Sequence, residues 1–442
     1  MRILIFTIYT KGDFMNRKSP FHASALLVAA SGILFTATFA AIEEPYEVGT
    51  WGNFAKGAIS HTFDDNMNTN PNAEEQKIYD EKGFHMSVCV QTNSCNWDNC
   101  KATFEKGHEI SSHTTDHASS TQSFEQSQAA IKKNVPGEMC VTVAYPNCQQ
   151  NGANTSKYFL AGRNCTGSPV NAKTPSNWDQ INSQMFGSPR YGNSANDLNN
   201  YAEDAVKANG WSVYCFHGIG GQSHSWATID LNAMKGHLDY LDENRDKIWI
   251  ETFGNVARYI RERDAADVKE KSSDDNSFTV EVTDDLADSI FNYPLTLRRP
   301  LPDDWDEEKV TVTQNGDSTG FKVVTDGSDK FIQFEAVPDS GDVVIASGAT
   351  ATRHGVLFGK TPSREIVQLR NNRMVIATDE FSDSKISVQL FNLNGKLLAR
   401  HVVSNSTHVA QIALTEDLTQ SAFLVKITSG NRSITRRFTP QM

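Results

Sequence analysis

Two histidines four residues apart, His113 and His117 in SSHTTDH, lie downstream of a paired carboxylate, Asp64-Asp65 in HTFDD. Imidazoles at i and i+4 project from one side of a helical turn, so both nitrogens can reach one cation about 2 Å away if the backbone is helical there. Asp64 or Asp65 offers a third ligand. Two neutral imidazoles and one carboxylate leave a coordination position for water, the pattern of a catalytic rather than a structural metal centre, and such a set accepts Zn, Co, Ni or Mn. The same residues also read without chemistry. SSHTTDH can be a solvated helix start with Ser112 as cap and Asp116 in the first turn, and an isolated Asp-Asp can cap a strand end.

The elements that must position these groups alternate between short apolar runs and longer amphipathic ones from Tyr46 to Glu262, the texture of strand-helix repeats. Gly57–Phe63 reads as a strand ending at Asp64, residues 72–82 as a helix stopped by Gly83, and Met86–Val90 as the next strand. Phe104 to Gly107 closes a second helix. Met139–Ala144 is expected as a strand ending at Tyr145-Pro146, Trp211–Phe216 as one ending at His217, and Ile248–Thr252 as the last. Reactive side chains thus fall just past the carboxyl ends of strands, where parallel α/β barrels and sheets place their sites.

Beyond Arg263 the texture changes. Lys269–Asn276 reads as a charged connector, residues 277–350 as a small β-sandwich with Asn-Gly, Asp-Gly and Ser-Gly turns, and residues 363–442 as a second all-β unit with a turn at Asn394-Gly395. Neither region carries a His/Asp cluster, so chemistry is expected only in residues 41–265.

A chain of 442 residues implies two or three domains. Its 41 Lys and Arg stand against 53 Asp and Glu with no basic run, which argues against nucleic acid or anionic lipid as partner. Residues 1–40 read as a secretory leader, with Asn16-Arg17-Lys18 before the apolar run Ala23–Phe39, cleavage after Ala40, and Met15 as an alternative start. A membrane anchor is the rival reading of that run, but no stop-transfer pattern follows it. All seven cysteines lie between Cys89 and Cys215. Export favours disulfides, the pairing is not legible from spacing, and the absence of a C-x-x-C pair argues against structural zinc.

HTFDD, SSHTTDH, VAYPN and YCFH, in that order and each at a strand end, resemble the motifs of polysaccharide deacetylases of carbohydrate esterase family 4, the NodB-homology fold. The resemblance spans about Gly57 to Arg263. It implies a distorted (β/α) barrel, followed here by two small all-β domains. By that likeness Asp65, His113 and His117 hold a divalent metal, usually zinc, Asp64 is the general base and His217 the general acid. The backbone N–H after the motif proline, that of Asn147, would stabilise an oxyanion. Two departures stand out. Asn66-Met67 follows the Asp pair where the family has Gly-Pro, and Ala144 occupies the place of an arginine that orients the base. Arg163 is a candidate to supply the guanidinium from another loop, though a structural role fits it equally.

Tyr145 and Trp226 are candidate substrate contacts. His224 and Trp178 could line a sugar subsite or simply pack, while Trp211 and His61 read as core, His108 as a turn cap and His85 as partnerless. The C-terminal unit resembles sorting domains of type IX secretion. The expected protein is a secreted, monomeric, metal-dependent deacetylase of an acetylated polysaccharide such as chitin, peptidoglycan or acetylxylan, off the membrane once mature. A carbohydrate-binding protein on a decayed deacetylase scaffold is the alternative.

Overall fold

The computed structural model describes residues 41–348, apart from 119, 151–153, 168–169, 188–190, 222–224 and 226, together with strands within 367–438. The expected leader, including Met15, lies outside the described residues, as do His224, Trp226 and the Asn394-Gly395 turn.

Two short strands, β1 (Ala41–Ile42) and β2 (Glu47–Val48), precede a strand-helix layer. It runs β3 (Gly57–Phe63), α1 (Glu74–Asp80), β4 (Ser87–Val90), α2 (Trp97–Phe104), β5 (Glu109–Ser112), α3 (Thr121–Asn134), β6 (Thr142–Ala144), β7 (Ala161–Arg163) and β8 (Gln184–Met185). It continues with α4 (Ala195–Ala208), β9 (Trp211–Phe216), α5 (Leu231–Glu243), β10 (Ile248–Ile250) and α6 (Phe253–Ala265). The helices begin where the chemistry directs. Asn96, Ser120, Ser194, Asp230 and Thr252 each turn a side-chain oxygen onto a backbone N–H of the first turn, and Ser194 with Asp197 completes a capping box.

The sheet is wholly parallel, ordered β7-β6-β5-β4-β3-β9-β8, with β10 also on β3. Its central strand, GAISHTF, is buried along its length, as a strand covered on both faces must be. That strand forks. Gly57–Ile59 pair with β10, whereas Thr62-Phe63 pair with β4, so the sheet curls into a half-barrel.

The stretch expected as a connector, Lys269–Asn276, is instead part of a strand hairpin. β11 (Asp267–Asp274) starts immediately after α6 and turns back into β12 (Ser277–Thr283), so its alternating charges are the exposed face of a strand. β13 (Leu295–Pro300), β14 (Thr311–Gln314), β15 (Asp317–Ser318), β16 (Phe321–Asp326), β17 (Asp329–Ala336) and β18 (Val343–Ala346) complete two sheets, ordered β1-β11-β12-β18-β14-β15 and β16-β17-β13-β2. Residues 41–48 thus enter both sheets before the chain reaches the barrel. One apolar cluster runs through both parts, with Trp51, Trp211, Trp249 and Tyr259 packed with Val280, Leu297 and Phe334.

Toward the C-terminus, β19 (Val367–Arg370), β20 (Arg373–Ala377) and β23 (Val409–Ala413) form one sheet. A second is made of β21 (Lys385–Asn392), β22 (Leu397–Ser404), β24 (Phe423–Ser429) and β25 (Arg432–Phe438), with a separate core that includes Met374, Ile386, Val388 and Ile427. Among the described residues no helix is long and apolar enough to cross a membrane.

The outer face of β3 holds a buried polar chain. The Tyr79 hydroxyl lies 2.8 Å from His61 Nδ1, His61 Nε2 lies 3.3 Å from His237 Nε2, and His237 Nδ1 lies 2.7 Å from Asn199 Oδ1. One assignment satisfies every atom with both rings neutral: Tyr79 donates to His61, His61 to His237 and His237 to Asn199. Burial lowers both histidines, His61 well below its ordinary range with His237 adding to the effect, and His237 to about 3. The unfolded chain protonates these rings below about pH 6.5 while the folded chain does not, so their stabilisation is complete above that pH and is lost as pH falls. Each ring removes about 1.4 kcal/mol per pH unit in that window. Urea midpoints at pH 7.5 and pH 5 are expected to fall more in the parent protein than in His61→Phe/His237→Leu, and equal falls would contradict this account.

Candidate metal and acid-base centre

Six strands of the half-barrel deliver polar groups at their carboxyl ends. Asp64 and Asp65 follow β3, Gln91 follows β4, His113 follows β5, Asn147 lies just past β6, Arg163 ends β7 and His217 follows β9. The turn bearing the histidine pair is not helical, contrary to the i, i+4 reading. β5 ends at Ser112, and Thr114 and His117 both sit at φ +69°, a left-handed conformation that no α-helix contains. Ser112 does cap, but it caps this turn: its hydroxyl oxygen accepts Thr114 N–H at 3.1 Å and contacts the Ser127 hydroxyl at 2.8 Å.

The turn nonetheless converges on Asp65. His113 Nε2 lies 3.4 Å and His117 Nε2 3.8 Å from Asp65 Oδ1, and the three donors fall within 4.8 Å of one another. Two ligand atoms about 2.1 Å from a tetrahedral ion stand roughly 3.4 Å apart, so this donor set fits a small divalent cation. The outer hydrogen bonds fit as well. His113 Nδ1 donates to Ala144 O at 2.9 Å, which leaves the Nε2 lone pair facing Asp65. Asn147 Nδ2 lies 3.5 Å from His117 Nδ1. Asp65 is held below the ordinary carboxylate range, by His113 first, against the opposing effect of burial.

Asp64 is treated differently. It is buried and paired with Arg163, whose Nη2 donates to Oδ1, while Oδ2 faces the Cys215 thiol at 3.6 Å and His217 Nε2 at 4.0 Å. Burial pushes its carboxyl up, but Arg163, His113 and His217 together hold it well below the usual range. His217 Nε2 is also 4.0 Å from Asp65 Oδ2, and burial lowers His217 in spite of both carboxylates.

Arg163 comes from a strand, not from another loop as anticipated. In the β6-β7 register it stands directly beside Ala144, one strand over from the position that lacks the motif arginine. Gly162 permits this pairing, since a Cβ there would overlap the Tyr145 hydroxyl. Tyr145 itself is a correction. Its side chain is buried, with the hydroxyl 2.6 Å from Thr155 Oγ1 and donating to Asp179 O at 2.8 Å, so it packs behind the site instead of meeting substrate.

The disulfide Cys148–Cys165 ties the loop of Asn147 to the loop after Arg163. Gln91 escaped sequence reasoning: its amide donates to Asp65 Oδ1 at 2.7 Å, and only its place after a central strand marked it.

The remaining candidates are structural. His108 accepts Met86 N–H at 3.2 Å and lies 3.0 Å from Asp80 Oδ1, His85 lies 3.9 Å from Glu251, and Trp211 is core with its indole N–H on Ser60 Oγ at 3.0 Å. Trp178 stacks under Arg261.

Parts of the chain are similar to known proteins. Residues 52–154 match the polysaccharide deacetylase family model, and residues 361–440 match that of a secretion system C-terminal sorting domain. Residues 52–154 are thus similar to polysaccharide deacetylases, and residues 361–440 to secretion sorting domains. A gellan lyase from Bacillus sp is 27% identical over 350 residues, 73% of this chain, and the chain spans only 14% of that protein. Among solved structures, a family 4 acetyl xylan esterase from Clostridium thermocellum in complex with a cobalt ion is 14% identical, with 45% of this chain and 89% of that one covered and a TM-score of 0.31. The peptidoglycan deacetylase PdaC from Bacillus subtilis is 13% identical, with 47% and 92% covered and a TM-score of 0.28.

Removing only the guanidinium would strand a buried carboxylate. Arg163→Met is expected to cost roughly 3–5 kcal/mol in urea unfolding, and adding Asp64→Asn should recover most of it. A cost below about 1 kcal/mol would show that the pair is not holding buried charge.

Proposed function

We propose that this centre hydrolyses acetyl groups, N- or O-linked, from an acetylated polysaccharide outside the cell. The observation that carries the reading is the meeting of Asp65, His113 and His117 with the Arg163-held carboxylate of Asp64 and with His217 at one end of one sheet. Asp65, His113 and His117 would hold a divalent cation, zinc being the usual ion for such donors, which would supply Lewis-acid charge and lower the pKa of water toward neutral.

The chain's own residues divide the proton work. Arg163 occupies Asp64 Oδ1 and keeps the carboxylate ionised, so Oδ2 is the oxygen that takes a proton from the attacking water. His217, within 4.0 Å of both aspartates, delivers a proton to the departing amine or alkoxide. The Asn147 backbone N–H stabilises the oxyanion. The same groups serve amides and esters because both pass through a tetrahedral oxyanion. The binding-only alternative rested on the missing arginine at Ala144, and the contact between Arg163 and Asp64 favours catalysis instead.

Acetate release from acetylxylan and from chitooligosaccharide, each with and without chelator, tests the class. Release that chelation abolishes is expected on one of them, and no release from any acetylated glycan would refute hydrolysis. In Asp64→Asn the turnover should drop about 10²–10⁴-fold with one equivalent of zinc retained, whereas His113→Ala should lose the zinc itself. Unchanged turnover in Asp64→Asn would remove Asp64 from the role of base.

A further inference from the structure

The loop leaving β4 carries a second pair of thiols beside the site. Cys95 directly precedes the N-cap Asn96 of α2, whose side chain accepts Asn99 N–H at 3.1 Å, and Cys100 lies one turn into the helix. These are the N′ and N4 positions, which face each other across a helix N-terminus and where an apolar pair usually staples the entering chain. Cys100 is fully buried, Cys95 is half-buried, and both pack in the same barrel core. The neighbouring Cys100 pushes the Cys95 thiol up, and Cys95 holds Cys100 below the ordinary thiol range.

This loop buttresses the cation site from behind. Gln91 donates to Asp65, Thr92 N–H donates to Thr114 O at 3.1 Å, and Asn93 N–H to Thr115 O at 2.9 Å. Asn66 Nδ2 donates to the Ser94 hydroxyl at 2.9 Å, and Asn66 Oδ1 accepts Gln91 N–H at 2.7 Å. Residues 91–94 therefore touch the ligand carboxylate, its neighbour and the turn between the two histidines.

We propose that Cys95 and Cys100 close a disulfide in the exported protein, a covalent staple that holds the loop 91–96 against Asp65 and the His113–His117 turn. The more accessible Cys95 gives up its proton as its sulfur attacks an external disulfide, such as that of a thiol-disulfide oxidoreductase, and one sulfur of that disulfide departs as a thiolate. Cys100 then displaces the other sulfur and completes the Cys95–Cys100 bond. The two cysteines lose two protons and two electrons, and the external disulfide leaves as a dithiol. A sorting module that directs export, and a disulfide at Cys148–Cys165 across the same barrel mouth, place the chain where such a bond persists. The effect on cation binding rests on the ligand reading of Asp65, His113 and His117, whereas the disulfide itself does not.

Full-length exported protein, alkylated in denaturant without reductant and cleaved at Trp97, tests the bond by mass spectrometry. Label is expected on Cys89, Cys140 and Cys215 only, with the Cys95 and Cys100 peptides joined; label on Cys95 and Cys100 would overturn the proposal. Zinc competition with a chromophoric chelator then reads the consequence. Cys95→Ser/Cys100→Ser should weaken Zn2+ binding about three- to tenfold, less than the ~10–100-fold typical when an outer hydrogen-bond partner is lost outright. Unchanged Zn2+ affinity would overturn the staple's role at the site. A parent protein that shows the disulfide and binds no Zn2+ would overturn the ligand reading while the bond stands.

Discussion

Arg163 is a guanidinium with no exposed surface, and its ionic partner is Asp64. A buried charge is tolerated only when its partner and its remaining hydrogen bonds are in place, so this pair constrains everything that touches it. Strand β7 must stay in register with β6, Gly162 must remain without a side chain, and the Tyr145 hydroxyl must find Thr155 and Asp179 in place of the space it denies to Gly162. The disulfide from Cys148 to Cys165 links the loops just beyond these strands, adding a covalent tie where the electrostatic one is concentrated. The geometry of the base is thus a property of two neighbouring strands and the loops that leave them, not of the Asp-Asp motif alone.

The parallel sheet explains why the remaining groups arrive together. Parallel strands share one carboxyl end, and every residue just beyond it meets its neighbours across about 4.8 Å. Asp64, Gln91, His113, Asn147, Arg163 and His217 come from six successive strand ends in space although they span most of the barrel in sequence. Positive φ at Asp65, Thr114, His117 and Asn147 then bends each loop back over the sheet.

Much of this was legible before the structure. Strand β9 matches its predicted bounds because WSVYCF is a fully buried run closed by His217-Gly218, and β3 matches because its run ends at two carboxylates. The aspartates, the histidine pair and His217 were all singled out from residue type and position at strand ends. Arg163 was found only as an ambiguous guanidinium, because strand register is a long-range property that one sequence does not display. The helical reading of SSHTTDH failed for a related reason: i, i+4 spacing is shared by a helical turn and by a tight turn with left-handed residues, and Ser112 favours either. Lys269–Asn276 reads as a linker because its polar composition masks the β alternation that only pairing with β12 reveals. Tyr145 was misassigned by its motif neighbourhood, since an aromatic beside a catalytic loop and one packed beneath it look alike in sequence.

The opposite end of the barrel shows that burial alone does not prepare a carboxylate for catalysis. Glu109 is buried there and Glu138 half-buried, Glu109 accepting from Ser87, Thr142 and Gly254 N–H and Glu138 from Ile110 and Cys140 N–H. Burial raises both, Glu138 to about 7, and Glu262 is raised to about 8 despite Arg258 nearby. Asp64 experiences the same burial and moves the other way, because a guanidinium contacts one of its oxygens and two imidazoles lie close to it. Carboxyls therefore serve as hydrogen-bond acceptors raised by burial at one end and as an ionised partner of Arg163 at the other. The difference lies in direct contact between the carboxylate and a guanidinium, which Arg163 supplies from the strand beside Ala144.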